Sequence, residues 1–141
     1  MTSRQKKELL NLGFQISAEE LRYGVVVFSE TIPKLNVLKK LIMTMTFDDE
    51  IHYWDADQKS PTDPGGYVTA LRLDEEQVAY MEGNHGWTSS WYIVSVEEMA
   101  EHIQKNWDKD CDRGKYYNKV LIQKNKYITR ERINNDIVMR T

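Results

Sequence analysis

The chain has 141 residues, 40% of them hydrophobic and 29% charged, with a formal net charge of −3. That balance excludes a disordered chain, the apolar runs are too short for a membrane span, and the lone Cys111 excludes an internal disulfide or a cysteine-based zinc site. The length predicts one globular domain over residues 1–141, with enough chain to bury about two thirds of its unfolded surface.

Residues 1–10 are polar and charged and carry no apolar core of signal-peptide type, so a cytoplasmic protein is expected. Ser3 is placed to cap a first helix bearing Leu9, Leu10 and Phe14, with Gly13 as its stop. Ser17, Ala18, Glu19 and Glu20 fit a capping box and a short helical turn. Val25, Val26, Val27 and Phe28, between Gly24 and Ser29, predict a buried strand. Thr31 and Pro33 look like the N-cap region of a second helix, in which Leu35, Leu38, Leu41 and Ile42 recur at helical spacing. Residues 43–47 alternate Met and Thr and read as the start of a strand, and 51–54 as another.

Residues 58–66 hold Ser60-Pro61, Asp63-Pro64 and Gly65-Gly66 and read as a surface loop. Residues 67–73 alternate as a strand does. Residues 77–82 and 87–94 predict a hairpin around Gly83, Asn84, His85 and Gly86; the alternative is a short helix over 75–81, capped by Asp74 and ended by Gly83. Ser95, Val96, Glu97 and Glu98 form a capping box for a further helix. Val96, Met99, Ala100, Ile103 and Trp107 make its apolar stripe, which leaves His102 on the surface. Residues 116–123 and 126–133 predict a second hairpin across Lys124 and Asn125. Hairpins with separate helices indicate an α+β fold, a small domain whose mostly antiparallel sheet packs against two to three helices.

Charge is unevenly spread. Residues 1–46 carry +3, residues 47–104 carry two basic and thirteen acidic side chains, and residues 105–141 carry +5. Residues 47–57 concentrate the acids with aromatic rings: Asp48, Asp49, Glu50, Asp55 and Asp57 beside Phe47, His52, Tyr53 and Trp54. Such a surface suits a basic protein partner, because charge steers the encounter and desolvated rings anchor it. The competing reading is a solvated turn beside a core strand. The stretch lacks the alternating acids and the glycine of a calcium loop. The second candidate is the Gly-rich hairpin with Asn84, His85, Trp87 and Trp91, a binding loop if exposed and a packed turn if not. Ser89 and Ser90 sit in no nucleophile elbow.

His52, His85 and His102 share no metal-ligand spacing, and neither nucleotide-binding glycine motif occurs, so no metal, cofactor or catalytic residue is assigned. The basic, aromatic residues after Lys115 would suit nucleic acid, but a pI near 5.6 and the acidic middle argue against it.

Acidic proteins of this size and composition include inhibitors such as bacterial toxin-immunity proteins; no motif carries the comparison. The expectation is a stoichiometric inhibitor that occludes the active site of a basic effector such as a nuclease toxin. One alternative is a phage- or host-defence inhibitor that mimics nucleic-acid charge, as anti-CRISPR proteins do. Another is a small hydrolase using His85 with Glu82. No membrane contact is expected, and the aromatic excess leaves a homodimer open.

Overall fold

The computed structural model describes residues 1–17, 24–55, 66–84, 87–107, 118–125, 128, 133 and 137–138. Among them the chain forms, in order, α1 (Ser3–Asn11), β1 (Gln15–Ile16), β2 (Gly24–Phe28), α2 (Leu35–Thr44), β3 (Asp49–Asp55), β4 (Gly66–Arg72) and β5 (Gln77–Asn84). There follow β6 (Trp87–Thr88), β7 (Trp91–Ser95), α3 (Val96–Trp107), β8 (Lys119–Lys124) and β9 (Ile137–Val138). One sheet runs in the order β1-β2-β8-β3-β4-β5-β7-β9, with β6 paired to β5. Every ladder is antiparallel except β7 with β9. This is the α+β fold the sequence predicts.

Strand alternation divides the sheet into two faces. Val25 and Val27, Ile51 and Tyr53, Val68 and Ala70, Val78 and Tyr80, and Val120 and Ile122 point to one side. There they meet Leu9 of α1, Leu38, Leu41 and Ile42 of α2, and Met99, Ala100, Ile103 and Trp107 of α3. The stripe read on α3 is therefore the stripe that is buried. Leu71, Ala79 and Trp91 point to the opposite face and pack with Ile133. No helix among the described residues is long and apolar enough to cross a membrane.

Local chemistry sets most element ends. Thr2, rather than Ser3, caps α1: its hydroxyl accepts from the Gln5 amide while the Gln5 side chain accepts from the Thr2 amide. Gly13 then takes φ +97°, a left-handed stop that glycine allows at little cost. At α3 the box is the expected one, with Ser95 Oγ accepting from the Glu98 amide at 3.0 Å. Asn118, also left-handed at φ 68°, donates its amide to Trp107 O and accepts from the Ser29 amide, which ties the end of α3 to β2 and β8.

Four expectations change. Residues 43–44 continue α2 instead of opening a strand, and the turn at 47–48 follows. The alternative helix over 75–81 is absent; residues 77–81 lie in β5. The hairpin closes at Asn84 opposite Trp87, and the register then slips by one residue between Gly83↔Thr88 and Tyr80↔Tyr92. That slip is a β-bulge, in which Ser89 accepts the Glu82 amide on its hydroxyl and donates its own amide to Glu82 O. The largest change is β8: it pairs with β2 on one side and β3 on the other, so both edges over 121–123 are taken and not available to the predicted hairpin partner; of residues 126–133 only Ile128 and Ile133 are among the described residues. Gly24 permits this insertion, since a Cβ there would overlap the Ile122 carbonyl. Ser17, read as a cap, pairs with β2: its amide donates to Val26 O and its hydroxyl accepts from the Val26 amide; residues 18–20, most of the 58–66 loop and Cys111 lie outside the described residues.

Candidate functional site

The acidic, aromatic stretch read at residues 47–57 is not one surface. It becomes β3, an interior strand, and alternation sends its carboxylates to both faces. Asp49 is buried on the helix side, where its carboxylate accepts from the Thr46 amide at 2.9 Å and Gln5 Nε2 at 2.9 Å and pairs with Lys124 Nζ at 3.0 Å. Burial opposes its ionisation, but these donors outweigh burial and hold its carboxyl below the usual range. Glu50, buried on the other face, accepts from Gln123 Nε2 at 2.7 Å and lies 3.0 Å from His52 Nε2. Here too burial raises the carboxyl's pKa and the two partners more than reverse it. Tyr53 and Asp55 are buried, Trp54 and His52 are half-buried, and Asp48 alone of the described acids in this stretch is exposed. The partner-binding reading of Asp49, Glu50, Tyr53 and Asp55 as surface groups is corrected on that ground. Asp57 lies outside the described residues.

His52 Nδ1 also lies 2.9 Å from Thr69 Oγ1. Glu50, His52 and Thr69 thus form an acid–imidazole–hydroxyl relay, an arrangement that nucleophilic enzymes use. Thr69 is only 1% exposed, however. A substrate carbonyl cannot reach that hydroxyl, so the relay is a satisfied polar network under the sheet surface.

The hairpin candidates separate as well. Trp91 is buried against Leu71, Ala79 and Ile133, so it is a core residue. Asn84 is half-buried at the end of β5. His85 lies outside the described residues, and Trp87 contributes backbone pairing opposite Asn84. Gly83 does allow a close approach to the backbone, but the approaching group is the Tyr67 ring of the neighbouring strand, which a Cβ would overlap.

An exposed acidic surface is nevertheless present, at one end of the sheet. Three adjacent junctions meet there: the turn before β3, the β4–β5 turn and the start of α3. They expose Asp48, then Asp74, Glu75 and Glu76, then Glu97, Glu98 and Glu101. The Val96 amide donates to Glu76 O at 3.0 Å and joins the last two junctions. Arg72 joins the first two. Its guanidinium donates to Met45 O at 2.8 Å, lies 3.4 Å from Glu75 Oε2 and stacks 4.8 Å over the Phe47 ring. Phe47 remains 46% exposed. Beside it opens a notch of about 260 Å³ lined by Phe47, Leu71, Leu73, Ile128 and Ile133 with Asp48, Arg72 and Asn125. The charge of residues 47–104 pointed toward such a surface; the position of the turns, which depends on strand order, was the missing information.

A second assembly has no sequence signal at all. Asp55 of β3, Glu82 of β5 and His102 of α3 bring one carboxylate or imidazole atom each to within 4.8 Å of one another. His102, expected on the surface, is half-buried. Its Nδ1 lies 2.7 Å from the Tyr53 hydroxyl and its Nε2 3.9 Å from Asp55 Oδ2. Burial raises the Tyr53 phenol's pKa well above the usual value, and the charges of Asp55 and Glu82, with Tyr80, add to it. Tyr53 therefore stays a neutral phenol beside this cluster.

Comparison with known protein families, with curated proteins and with solved structures finds no match.

Proposed function

We propose that this chain is a stoichiometric protein-binding inhibitor that neutralises a basic effector, such as a nuclease toxin, by covering its active site. The observation that carries the reading is the acidic rim with a half-apolar notch set into it. Seven exposed carboxylates along three adjoining junctions make an excess of negative charge at this end of the sheet, which raises the encounter rate with a basic surface. Rim charges add little affinity in water, so a binder also needs a desolvated anchor. The notch beside Phe47 offers one of mixed character: Phe47, Leu71, Leu73, Ile128 and Ile133 supply apolar wall, Asp48, Arg72 and Asn125 supply polar wall, and its volume of about 260 Å³ suits one or two partner side chains. The aliphatic stem of a lysine or arginine would pack there while its charge reaches Asp48.

The test compares wild type with Glu76→Lys/Glu97→Lys/Glu101→Lys and with Phe47→Ala. Proteins retained from native lysate by the wild type are assayed for affinity and salt dependence. The expected result is a basic partner whose association rate falls at least tenfold with the charge reversals and whose dissociation quickens with Phe47→Ala. Equal binding by all three chains at low salt overturns the reading. Competition distinguishes the charge-mimic alternative: a partner that DNA or RNA displaces from this rim is a nucleic-acid-binding machine, whereas a toxin-specific contact resists displacement.

A further inference from the structure

We infer that Asp55, Glu82 and His102 form a binding site for one divalent transition-metal ion, of the Zn²⁺ or Mn²⁺ class, that fastens α3 to the sheet. The three groups come from three elements, and their ligand atoms already lie within 4.8 Å of one another. Ligands about 2.1 Å from a tetrahedral ion lie about 3.4 Å apart, so side-chain rotations that draw the atoms together by up to about 1.4 Å complete the set. Two carboxylates and one imidazole suit a borderline metal better than Ca²⁺ or Mg²⁺, which favour all-oxygen sets.

Two further features fit a metal. The first is orientation: the Tyr53 hydroxyl engages Nδ1 of His102 at 2.7 Å, while Nε2 faces the Asp55 carboxylate. In the tautomer whose Nδ1–H donates to the Tyr53 oxygen, this is the outer-shell arrangement of a ligating histidine, which leaves the other nitrogen to the ion. The second is charge. Asp55 is only 3% exposed, and Glu82 adds a like charge beside it. Two carboxylates this close to one another both attract a divalent ion placed between them. A cavity of about 270 Å³ opens beside His102, bordered by Tyr80, Glu98, Glu101 and Lys105, so one of the three ligands borders open space.

The experiment uses the full 141-residue chain, treated with chelator and dialysed, then titrated calorimetrically with Zn²⁺, Mn²⁺ and Mg²⁺ alone. The expected result is one equivalent of Zn²⁺ or Mn²⁺, a thermal midpoint raised by several degrees, and at least tenfold weaker binding in both Glu82→Gln and His102→Gln. No binding at millimolar ion overturns the proposal. So does one-equivalent binding that both variants retain undiminished. Should the variants lose their native circular dichroism, the imidazole ¹⁵N shifts of wild-type His102 decide. A Zn²⁺-dependent change at Nε2 upholds the site, and unchanged shifts refute it. This inference does not rest on the partner-binding reading, since the acidic rim contributes none of the three ligands.

Discussion

Residues 49–55 and residues 74–76 are both rich in carboxylates, and the fold treats them in opposite ways. Asp49, Glu50 and Asp55 lie on an interior strand and are buried. Asp74, Glu75 and Glu76 lie in a turn between two strands and face water. Where an acid is buried it has cost desolvation energy, and the structure answers with donors: an amide, a glutamine and a lysine on Asp49, a glutamine and a histidine on Glu50. Where an acid is exposed, water solvates it and it is open to something else, even where it also keeps a local contact as Glu75 does with Arg72. Asp74 is an intermediate case, since its Oδ1 accepts from the Glu76 and Gln77 amides and shapes the turn. Equal composition therefore says little about role. Ladder position separates an acid that holds the fold from one that can meet a partner.

The sharpest way to break this contrast is Asp49→Ala. It strips the acceptor from the Thr46 amide, Gln5 and Lys124 at once and is expected to cost about 2–4 kcal/mol by denaturant unfolding. Lys124 is half-exposed and recovers part of its loss in water, which keeps the figure below that of a fully buried pair. A cost below about 0.5 kcal/mol, the range of an ordinary surface change, would erase the distinction.

Acid is the next lever. The folded carboxyls of Asp49 and Glu50 both titrate below their usual values. Their stabilising contribution is thus complete above the unfolded range near pH 4 and is lost as pH falls through the lower folded values. Unfolding midpoints followed from about pH 5 downward should drop less steeply in Asp49→Asn than in the wild type. Parallel curves would contradict the assigned role.

Smaller effects test the rim. Ser95→Ala removes one half of the capping box beneath Glu97 and Glu98 and should cost about 1 kcal/mol in thermal or chemical unfolding. Glu76→Gln and Glu101→Gln should each shift stability by less than about 0.5 kcal/mol while still slowing capture of a basic partner. A larger stability loss would place those acids with Asp49 in holding the fold.

Parts of this were legible from residue order alone. The valine run of β2, the stripe of α3 and the Ser95 box depend on neighbours within a few positions, and local periodicity carries them. Trp91 was legible as a packed ring under the hairpin as well as a binding residue, and the core face of β7 selected the first. The rim was half legible: its charge was plain in residues 47–104, its place was not. The Asp55, Glu82 and His102 cluster was illegible, because no spacing relates an interior strand, a hairpin strand and a helix that meet only in three dimensions.

By itself the sequence determined the class of fold, the helices, the Ser95 cap of α3 and the faces the helices bury, since hydrophobic period and capping chemistry act over one or two turns. Tertiary structure alone decided that β8, from late in the chain, enters between β2 and β3. That insertion makes β3 an interior strand. An interior strand has no solvent edge, and its two faces are covered near Asp49 and Glu50, so the acids that read as a surface turned inward to partners supplied by distant residues. The outward charge was left to the turns at the end of the sheet.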